Sequence, residues 1–365
     1  MTTTISRNIE SVHELCSQLG HLGRTIKIME ICGTHTMSIA RSGLRLLLPS
    51  NLKLISGPGC PVCVTDQSYM DQAVYLARGG DGEKTFVAPI IATYGDMVRV
   101  PGRGGSLADA RSAGAKVEVV YSADQAVELA KRTPQQQVVF LGVGFETTAP
   151  GTAMAITRAR REGVKNFSVL AAHKVILPAM HALMSTGDVQ VDGFLCPGHV
   201  SVILGYLAYE EIAAKYGRPC VVAGFDPAQV VLAVIEILTE IRDGKPRSCS
   251  VYPSVSAKGN VKAMQLLGEV FEPCDAAWRA VGVIPGSGLG IRGELAEFDA
   301  AKRFDLPIMP SYEMPGCRCG DVICGRLHPS ECKMFGNRCT PRDPVGPCMV
   351  SSEGACAAAY KYERR

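Results

Sequence analysis

The chain has 365 residues, of which 47% are hydrophobic and 20% are charged, and its net charge is +3. This length predicts two or three domains with sizeable cores. A charge this close to neutral gives no basis for a nucleic-acid partner, and no apolar run approaches the ~18 residues that span a membrane. The polar N-terminus lacks the apolar segment of a signal peptide, so we expect a cytoplasmic protein without membrane attachment.

Short apolar runs alternate with loops and helical patterns between residues 26 and 225. Eight runs predict strands: IKIMEI (26–31), LKLIS (52–56), TFVAPII (85–91), VEVVYS (117–122), QVVFLGV (137–143), FSVLAA (167–172), GFLC (193–196) and CVVAGF (220–225). Continuous apolar strands separated by helices are typical of parallel sheets covered on both faces, the α/β class. We therefore predict two Rossmann-like parallel-sheet units, residues 1–112 and 113–245, and a Cys-rich third unit, 246–365.

Chemically capable side chains follow several of these runs. Because the carboxyl ends of parallel strands meet at one edge of a sheet, such loops form the ligand crevice of an α/β fold. The residues concerned are Cys32, Cys60, Cys63, Glu146, His173, Cys196 and His199.

The segment GPGCPVC places Cys60 and Cys63 directly after a predicted strand. Two intervening residues allow the sulfurs to close a disulfide or to bind one metal, and N–H groups at a strand-to-helix junction lower a thiol pKa. Half of a structural zinc site, or two small buried residues, are the alternatives. Cys32 in EICGTHT and His199 in CPGHVS follow other strands. A buried apolar cysteine and a buried, hydrogen-bonded histidine are the alternatives for these two.

Two glycine-containing segments faintly resemble phosphate-binding loops. GVGFETTAP (142–150) has Thr147 where the third glycine of a dinucleotide loop would stand, and PGSGLG (285–290) follows no convincing strand. Neither has the Lys-Ser/Thr pair of a P-loop. We interpret both as tight turns.

Seven of the fifteen cysteines are concentrated near the C-terminus, in a Gly- and Pro-rich stretch that cannot bury much apolar surface. They are Cys317, Cys319, Cys324, Cys332, Cys339, Cys348 and Cys356. Cytosolic thiols are usually reduced, and an odd total argues against complete disulfide pairing. Four thiolates suit a [4Fe–4S] cluster or a Zn(Cys)4 site. The wide spacings, without two close C-x2–4-C pairs, favour iron–sulfur over zinc, and a flexible tail is the remaining alternative.

Several separate motifs together resemble the HypD family of [NiFe]-hydrogenase maturation factors. They are MEICGTHT, ISGPGCPVCVT, GVGFETTAP, PGHVS and the ending FGNRCTPRDPVGPCMVSSEGACAAAYKY, in family order between about Glu30 and Tyr362. The resemblance implies a scaffold on which iron acquires cyanide and carbon monoxide before the Fe(CN)2CO unit enters the hydrogenase. The implied partners are a HypC-type chaperone, a HypE-type cyanide donor and, transiently, the hydrogenase large-subunit precursor.

The resemblance also implies roles for individual residues. Cys32 is the implied iron ligand, and Cys60 and Cys63 support iron binding and thiol–disulfide redox work. His199 matches the PGHVS histidine, and we predict that it is catalytic together with the thiol pair. The family's C-x14-C-x6-C-x16-C pattern falls on four implied [4Fe–4S] ligands, Cys317, Cys332, Cys339 and Cys356, with Cys319 an alternative to Cys317. We expect a redox-active scaffold rather than a free-turnover enzyme. An iron–sulfur oxidoreductase acting on a small molecule and a zinc-stabilised interaction protein are the rival hypotheses.

Overall fold

The computed structural model describes residues 2–363, with side chains from residue 5 onward. Residue 1 and residues 364–365, at the outer ends of the first and third predicted units, lie outside the described part. The strands form two parallel sheets and one antiparallel hairpin. They are β1 (Ile26–Glu30), β2 (Leu52–Ser56), β3 (Ile90–Thr93), β4 (Val117–Val119), β5 (Val138–Gly144), β6 (Phe167–His173), β7 (Gly193–Pro197), β8 (Cys220–Ala223), β9 (Ser248–Ser250), β10 (Phe271–Trp278) and β11 (Gly282–Ile291).

Helices separate most of the strands, as the α/β pattern predicts. They are α1 (Thr2–Gln18), α2 (Gly33–Ser42), α3 (Pro61–Val64), α4 (Gln67–Arg78), α5 (Leu107–Ser112), α6 (Ala123–Arg132), α7 (Ala149–Arg161), α8 (Ile176–Thr186), α9 (Gly198–Leu204), α10 (Glu210–Tyr216), α11 (Pro227–Asp243), α12 (Val261–Val270), α13 (Ala300–Arg303), α14 (Cys319–Ile323), α15 (Pro347–Val350) and α16 (Ala355–Tyr362). Within residues 2–363, no helix is both long and apolar enough to cross a bilayer.

The two parallel sheets confirm the α/β class with Rossmann-like units. One sheet has the strand order β2-β1-β7-β8-β9 and the other has the order β4-β3-β5-β6. Every pair within them is parallel. The interior strands β3, β5, β7 and β8 are buried along their whole length, and β1 is buried except at Lys27. Strands buried on both faces explain the uninterrupted apolar runs in the sequence.

The division of strands between the sheets differs from the predicted units 1–112 and 113–245. The chain leaves the first sheet after β2, builds the whole second sheet over residues 90–173, and returns with β7. The return is fixed because β7 pairs with β1, with Ile28 opposite Gly193. The Gly-rich stretch at 99–116 connects β3 to β4 inside the second sheet instead of separating two units.

The third predicted unit begins with β9, which belongs to the five-stranded sheet, and with α12, and a hairpin that the sequence did not indicate follows. Strands β10 and β11 pair antiparallel, from Phe271 opposite Ile291 to Trp278 opposite Gly282. The segment PGSGLG therefore lies within β11, and its interpretation as a tight turn is wrong. The short helices α14 to α16 follow and pack on the core between the two sheets through buried residues such as Val322 and Met349.

Candidate functional site

Cys32 lies between β1 and α2. Its backbone is extended, with φ −152° and ψ 123°, and it is the N-terminal capping residue of α2. Its side chain makes no capping hydrogen bond to the helix. The neighbouring backbone N–H groups of Thr34 and His35 nevertheless act to lower the thiol pKa, because N–H groups at a helix N-terminus favour a thiolate.

Burial and a nearby carboxylate act in the opposite direction on the same thiol. Cys32 is 8% exposed. Its burial, and then the Glu353 carboxylate, raise the pKa of Cys32 to about 12. A metal that binds this sulfur must therefore displace a proton, since only the thiolate is a good ligand.

The Cys60 loop lies directly beside Cys32. Strand β2 runs parallel to β1, with Ser56 opposite Glu30, so the loops that follow leave the sheet side by side. The Gly33 N–H donates to the Gly59 carbonyl at 3.2 Å. A Cβ atom added to Gly59 would lie 2.1 Å from the Cys32 backbone nitrogen, so only glycine permits this approach.

Cys60 and Cys63 are joined as a disulfide, with their Cα atoms 5.2 Å apart. Pro61 occupies the first turn of α3, and Cys60 caps its N-terminus. The Cys63 N–H donates to the Cys60 sulfur at 3.2 Å. The structure thus brings the loops of Cys32, Cys60 and Cys63 to one edge of one sheet, as the strand-end argument predicts.

Residues 351–354, here called the serine turn, pack against both thiol loops. The Ser351 hydroxyl lies 3.4 Å from the Cys60 sulfur, and Thr34 donates to Glu353 at 2.6 Å. The Asp96 carboxylate, which follows β3 in the other sheet, accepts hydrogen bonds from Ser351 and from the backbone and hydroxyl of the next serine. Three separate parts of the chain therefore meet around the thiols.

The serine turn and Asp96 were not identified from the sequence. Asp96 follows the carboxyl end of β3. The argument that loops after parallel strands form the ligand crevice would have included Asp96 if β3 had been predicted at Ile90–Thr93 instead of 85–91. No comparable pattern marks Ser351 or Glu353, because their position depends on the packing of α15 and α16.

His199 lies at the start of α9, at the same end of the five-stranded sheet. Its exposed ring lies on Phe225, with ring centroids 4.2 Å apart. Phe225 also contacts the buried His35, whose Nε2 lies 3.0 Å from the Gly224 carbonyl. Burial lowers the pKa of His35 to about 4, so this imidazole is neutral near pH 7. The catalytic role of His199 stays a prediction.

Three other residues from strand ends lie apart from the thiol loops. Cys196 is inside β7, fully buried, and its sulfur contacts Cys220 in the core, so it does not share a crevice with His199. His173 is buried at the end of β6, where its Nε2 lies 2.9 Å from the Thr152 hydroxyl. Glu146 is buried after β5 and accepts a hydrogen bond from the backbone of α8 at 2.9 Å.

Six C-terminal cysteines line one cavity, here called the cysteine cavity. They are Cys317, Cys319, Cys332, Cys339, Cys348 and Cys356. All four cysteines of the predicted spacing are included, together with Cys319 and Cys348. Cys324 is buried near Arg326 instead.

The lining of the cysteine cavity fits a thiolate-bound metal cluster. The sulfur of Cys319 lies near those of Cys317 and Cys348, and Cys348 also lies near Cys356, so each thiol affects the pKa of its neighbours. A Cβ atom on Gly346 would lie 2.5 Å from the Cys317 sulfur. Soft sulfur donors that converge in this way suit iron–sulfur clusters or zinc.

Arg279 connects the cysteine cavity to the thiol loops. Its backbone N–H donates to the last residue of α3, Val64, at 2.9 Å, and its guanidinium donates to the Thr65 carbonyl at 3.0 Å. The side chain is 4% exposed and lies beside Cys317 and Cys319, where its charge favours the Cys319 thiolate. It forms no ion pair with a carboxylate among residues 5–363, although its charge also acts to lower the pKa of Asp66.

Comparison with known proteins decides the family. Residues 3–363 match the HypD model, described as the hydrogenase formation hypA family. The chain belongs to the HypD family. It is 44% identical to the hydrogenase maturation factor HypD of Azotobacter vinelandii, over 94% of this chain and 90% of that protein. Identity to HypD of Escherichia coli (strain K12) is 40%, over 98% of this chain and 95% of that protein.

The match to the HypD family covers both sheets, the thiol loops and the cysteine cavity. It therefore confirms the resemblance that the sequence motifs indicated and makes this chain a hydrogenase maturation factor. Among solved structures, an ABC domain in complex with L-Trp aligns at 13% identity with a TM-score of 0.14, which is too low to bear on the fold.

Proposed function

We propose that this HypD-family chain is the scaffold on which the Fe(CN)2CO unit of a [NiFe]-hydrogenase is assembled, together with a HypC-type chaperone. The contact between the Cys32 and Cys60 loops carries the proposal. Gly59 lies against the backbone of Cys32, and the Cys60–Cys63 disulfide follows within one turn of helix. A soft metal ligand and a two-electron thiol pair are thereby adjacent.

Cys32 is the proposed protein ligand of the iron under assembly. Iron that carries cyanide and carbon monoxide is low-spin and soft, so a thiolate is a suitable donor. The Thr34 and His35 N–H groups stabilise the thiolate once the metal has displaced the proton. The iron is cargo, and the HypC-type chaperone supplies a further ligand before the unit passes to the large-subunit precursor.

Cys60 and Cys63 are the proposed electron donors. A cyanide group delivered as a thiocyanate by a HypE-type protein loses its C–S bond only when two electrons are supplied. A dithiol that closes to a disulfide releases two electrons and two protons. The disulfide in the structure corresponds to the oxidised form of this pair.

The cysteine cavity has the donors for a [4Fe–4S] cluster. Cys317, Cys332, Cys339 and Cys356 are the proposed ligands, and Cys319 and Cys348 are alternative donors in the same lining. When bound, such a cluster supplies single electrons at low potential. Arg279 lies between the cavity and α3 and would balance part of the negative charge of the thiolates.

The test is infrared spectroscopy of the anaerobic complex with the chaperone, which detects bound cyanide and carbon monoxide by their stretching bands. We expect the bands to be lost in Cys32→Ala, Cys60→Ala and Cys63→Ala. Cys249→Ala is the matched control, because Cys249 lies in β9 beside Glu240 and away from these loops. Undiminished bands in Cys60→Ala or Cys63→Ala would refute the role of the thiol pair.

A further inference from the structure

Lys174 is a buried cation that forms no ion pair with any of the described residues. It follows β6 at the carboxyl end of the four-stranded sheet, and its backbone N–H donates to the Gly144 carbonyl at 2.9 Å. The side chain is only 5% exposed. Among residues 5–363, its ammonium forms no ion pair or hydrogen bond, and its nearest aromatic contact is the Trp278 ring at 6.0 Å.

Other cations with little exposure have polar partners. The buried Arg279 forms no ion pair among residues 5–363 but donates hydrogen bonds to the Thr65 carbonyl and to Gln67. Arg45, which is only partly buried, lies between the carboxylates of Glu30 and Glu363.

An unpaired buried ammonium loses hydration that no hydrogen bond replaces. A cation–π contact at the outer distance limit offsets only part of that loss. Burial accordingly lowers the pKa of Lys174 to about 8, although Cys274 and Asp66 act in the opposite direction.

A cavity of about 200 Å³ lies in front of the Lys174 ammonium. Its walls come from the start of α4, the end of β6 and the β10–β11 hairpin. Polar lining groups include Ser68, Asp66, His173 and Cys274. The cavity is smaller than the ~300–1,000 Å³ of sites for drug-sized ligands, so its volume suits a smaller ligand.

The acidic groups of the lining already have partners. Asp66 accepts hydrogen bonds from the backbone and hydroxyl of Ser68 and from the Ser311 hydroxyl at 2.6 Å. Asp275 accepts one from the Gly286 N–H at 3.0 Å. The Lys174 ammonium is therefore left without a hydrogen-bond partner in the cavity. The negative charges of Asp66 and Asp275 disfavour a ligand that carries more than one negative charge.

We propose that this cavity binds a small monocarboxylate, whose carboxylate pairs with the Lys174 ammonium and whose short apolar part lies against Ala276 and Leu289. The site is distinct from the thiol loops, since it lies at the end of α3 opposite Cys60. A negative result for this cavity would therefore not bear on the proposed iron scaffold, and the reverse also holds.

The test measures acetate binding to the full-length protein, with inorganic phosphate as the competing anion. ¹³C-acetate saturation-transfer NMR and the rise of the unfolding temperature with acetate concentration report binding, since a ligand of the folded state alone raises stability by mass action. We expect saturable acetate binding to the unmodified protein and at least a tenfold loss of affinity in Lys174→Met. Lys215→Met is the matched control, because Lys215 is an exposed lysine over the Tyr216 ring at 5.3 Å and should leave binding unchanged.

A measurement on the unmodified protein keeps the proposal testable if Lys174→Met does not fold. Acetate affinity should fall several-fold between pH 7 and 9.5 as the ammonium loses its proton. The thiol of Cys274 and the carboxylates of Asp66 and Asp275 also face the cavity. A Cys274 thiolate formed between pH 7 and 9.5 would also weaken acetate binding. The pH titration is therefore repeated in Cys274→Ala. Unchanged acetate affinity in Lys174→Met, a flat pH profile in Cys274→Ala, or phosphate binding tighter than acetate would overturn the proposal.

Discussion

Glu146 allows a quantitative test of how the fold treats a buried carboxyl group. The residue is 2% exposed, and its Oε2 has no hydrogen-bond partner among the described residues. Burial raises its pKa from 4.5 to about 7. We predict that Glu146→Gln changes the pH dependence of stability, because the amide keeps the acceptor for the backbone of α8 but cannot ionise.

The sign follows from the direction of the pKa shift. The folded protein holds the Glu146 proton up to about pH 7, whereas the unfolded chain releases it near 4.5. The resulting stabilisation is complete below the unfolded pKa and is lost as the pH rises through 7. A pKa difference of this size corresponds to about 3.4 kcal/mol, of which ~2.5 kcal/mol falls between pH 5 and 8.

The assay is urea unfolding of both proteins at pH 5 and pH 8. The stability of Glu146→Gln relative to the unmodified protein should be more favourable at pH 8 than at pH 5 by about 2.5 kcal/mol. This double difference cancels any pH-independent effect of the substitution, as well as the titration of buried histidines such as His173, whose pKa burial lowers to about 4. Glu10→Gln, at an exposed position of α1, should give a value near zero. A double difference below ~1 kcal/mol for Glu146→Gln would refute the reasoning.

Three further substitutions test the contacts around the thiol loops. Gly59→Ala should lower the free energy of unfolding by at least ~2 kcal/mol, because the new Cβ would overlap the backbone of Cys32. Gly151→Ala is the control and should not lower it, because a Cβ at Gly151 would meet no atom within 4 Å. Chemical denaturation measures both variants. Asp96→Asn weakens the hydrogen bonds of the serine turn by ~1 kcal/mol, so hydrogen exchange of residues 351–354 should accelerate. Arg279→Met removes the positive charge beside the cysteine cavity, and redox titration of iron-loaded protein should give a midpoint potential lower by tens of millivolts, an effect that Arg279→Lys should not reproduce.

The elements and the thiol loops were predictable because they depend on local patterns. Strand β2 was predicted at its observed bounds, and β6 and β7 within one residue, since buried parallel strands have uninterrupted apolar sequences. The positions of Cys32, Cys60 and Cys63 at one sheet edge followed from the direction of those strands. The hairpin was missed because β10 begins FEPCD, with a proline and charged residues, and carries four exposed positions in succession.

The pairing of distant segments was not predictable in the same way. Nothing in the apolar run of β7 distinguishes pairing with β1 from pairing with β6, which precedes it in the chain, so the division at residue 112 followed sequence order instead of the sheets. The unpaired state of Lys174 and the raised pKa of Glu146 are also tertiary properties. Each arises because the surrounding elements bury the side chain without supplying, within residues 5–363, an oppositely charged partner for an ion pair.

The serine turn couples the cysteine cavity to the thiol loops. Helix α15 carries Cys348, and α16 begins at Ala355 and carries Cys356; both sulfurs line the cavity. The turn between them contacts Cys60 through Ser351 and the Cys32 loop through Glu353. Metal ligation by these helices would fix both ends of the turn and so favour its contacts with the thiol loops. Because such a coupling is reciprocal, loss of the hydrogen bond between Asp96 and Ser351 should also weaken the retention of a metal bound in the cysteine cavity.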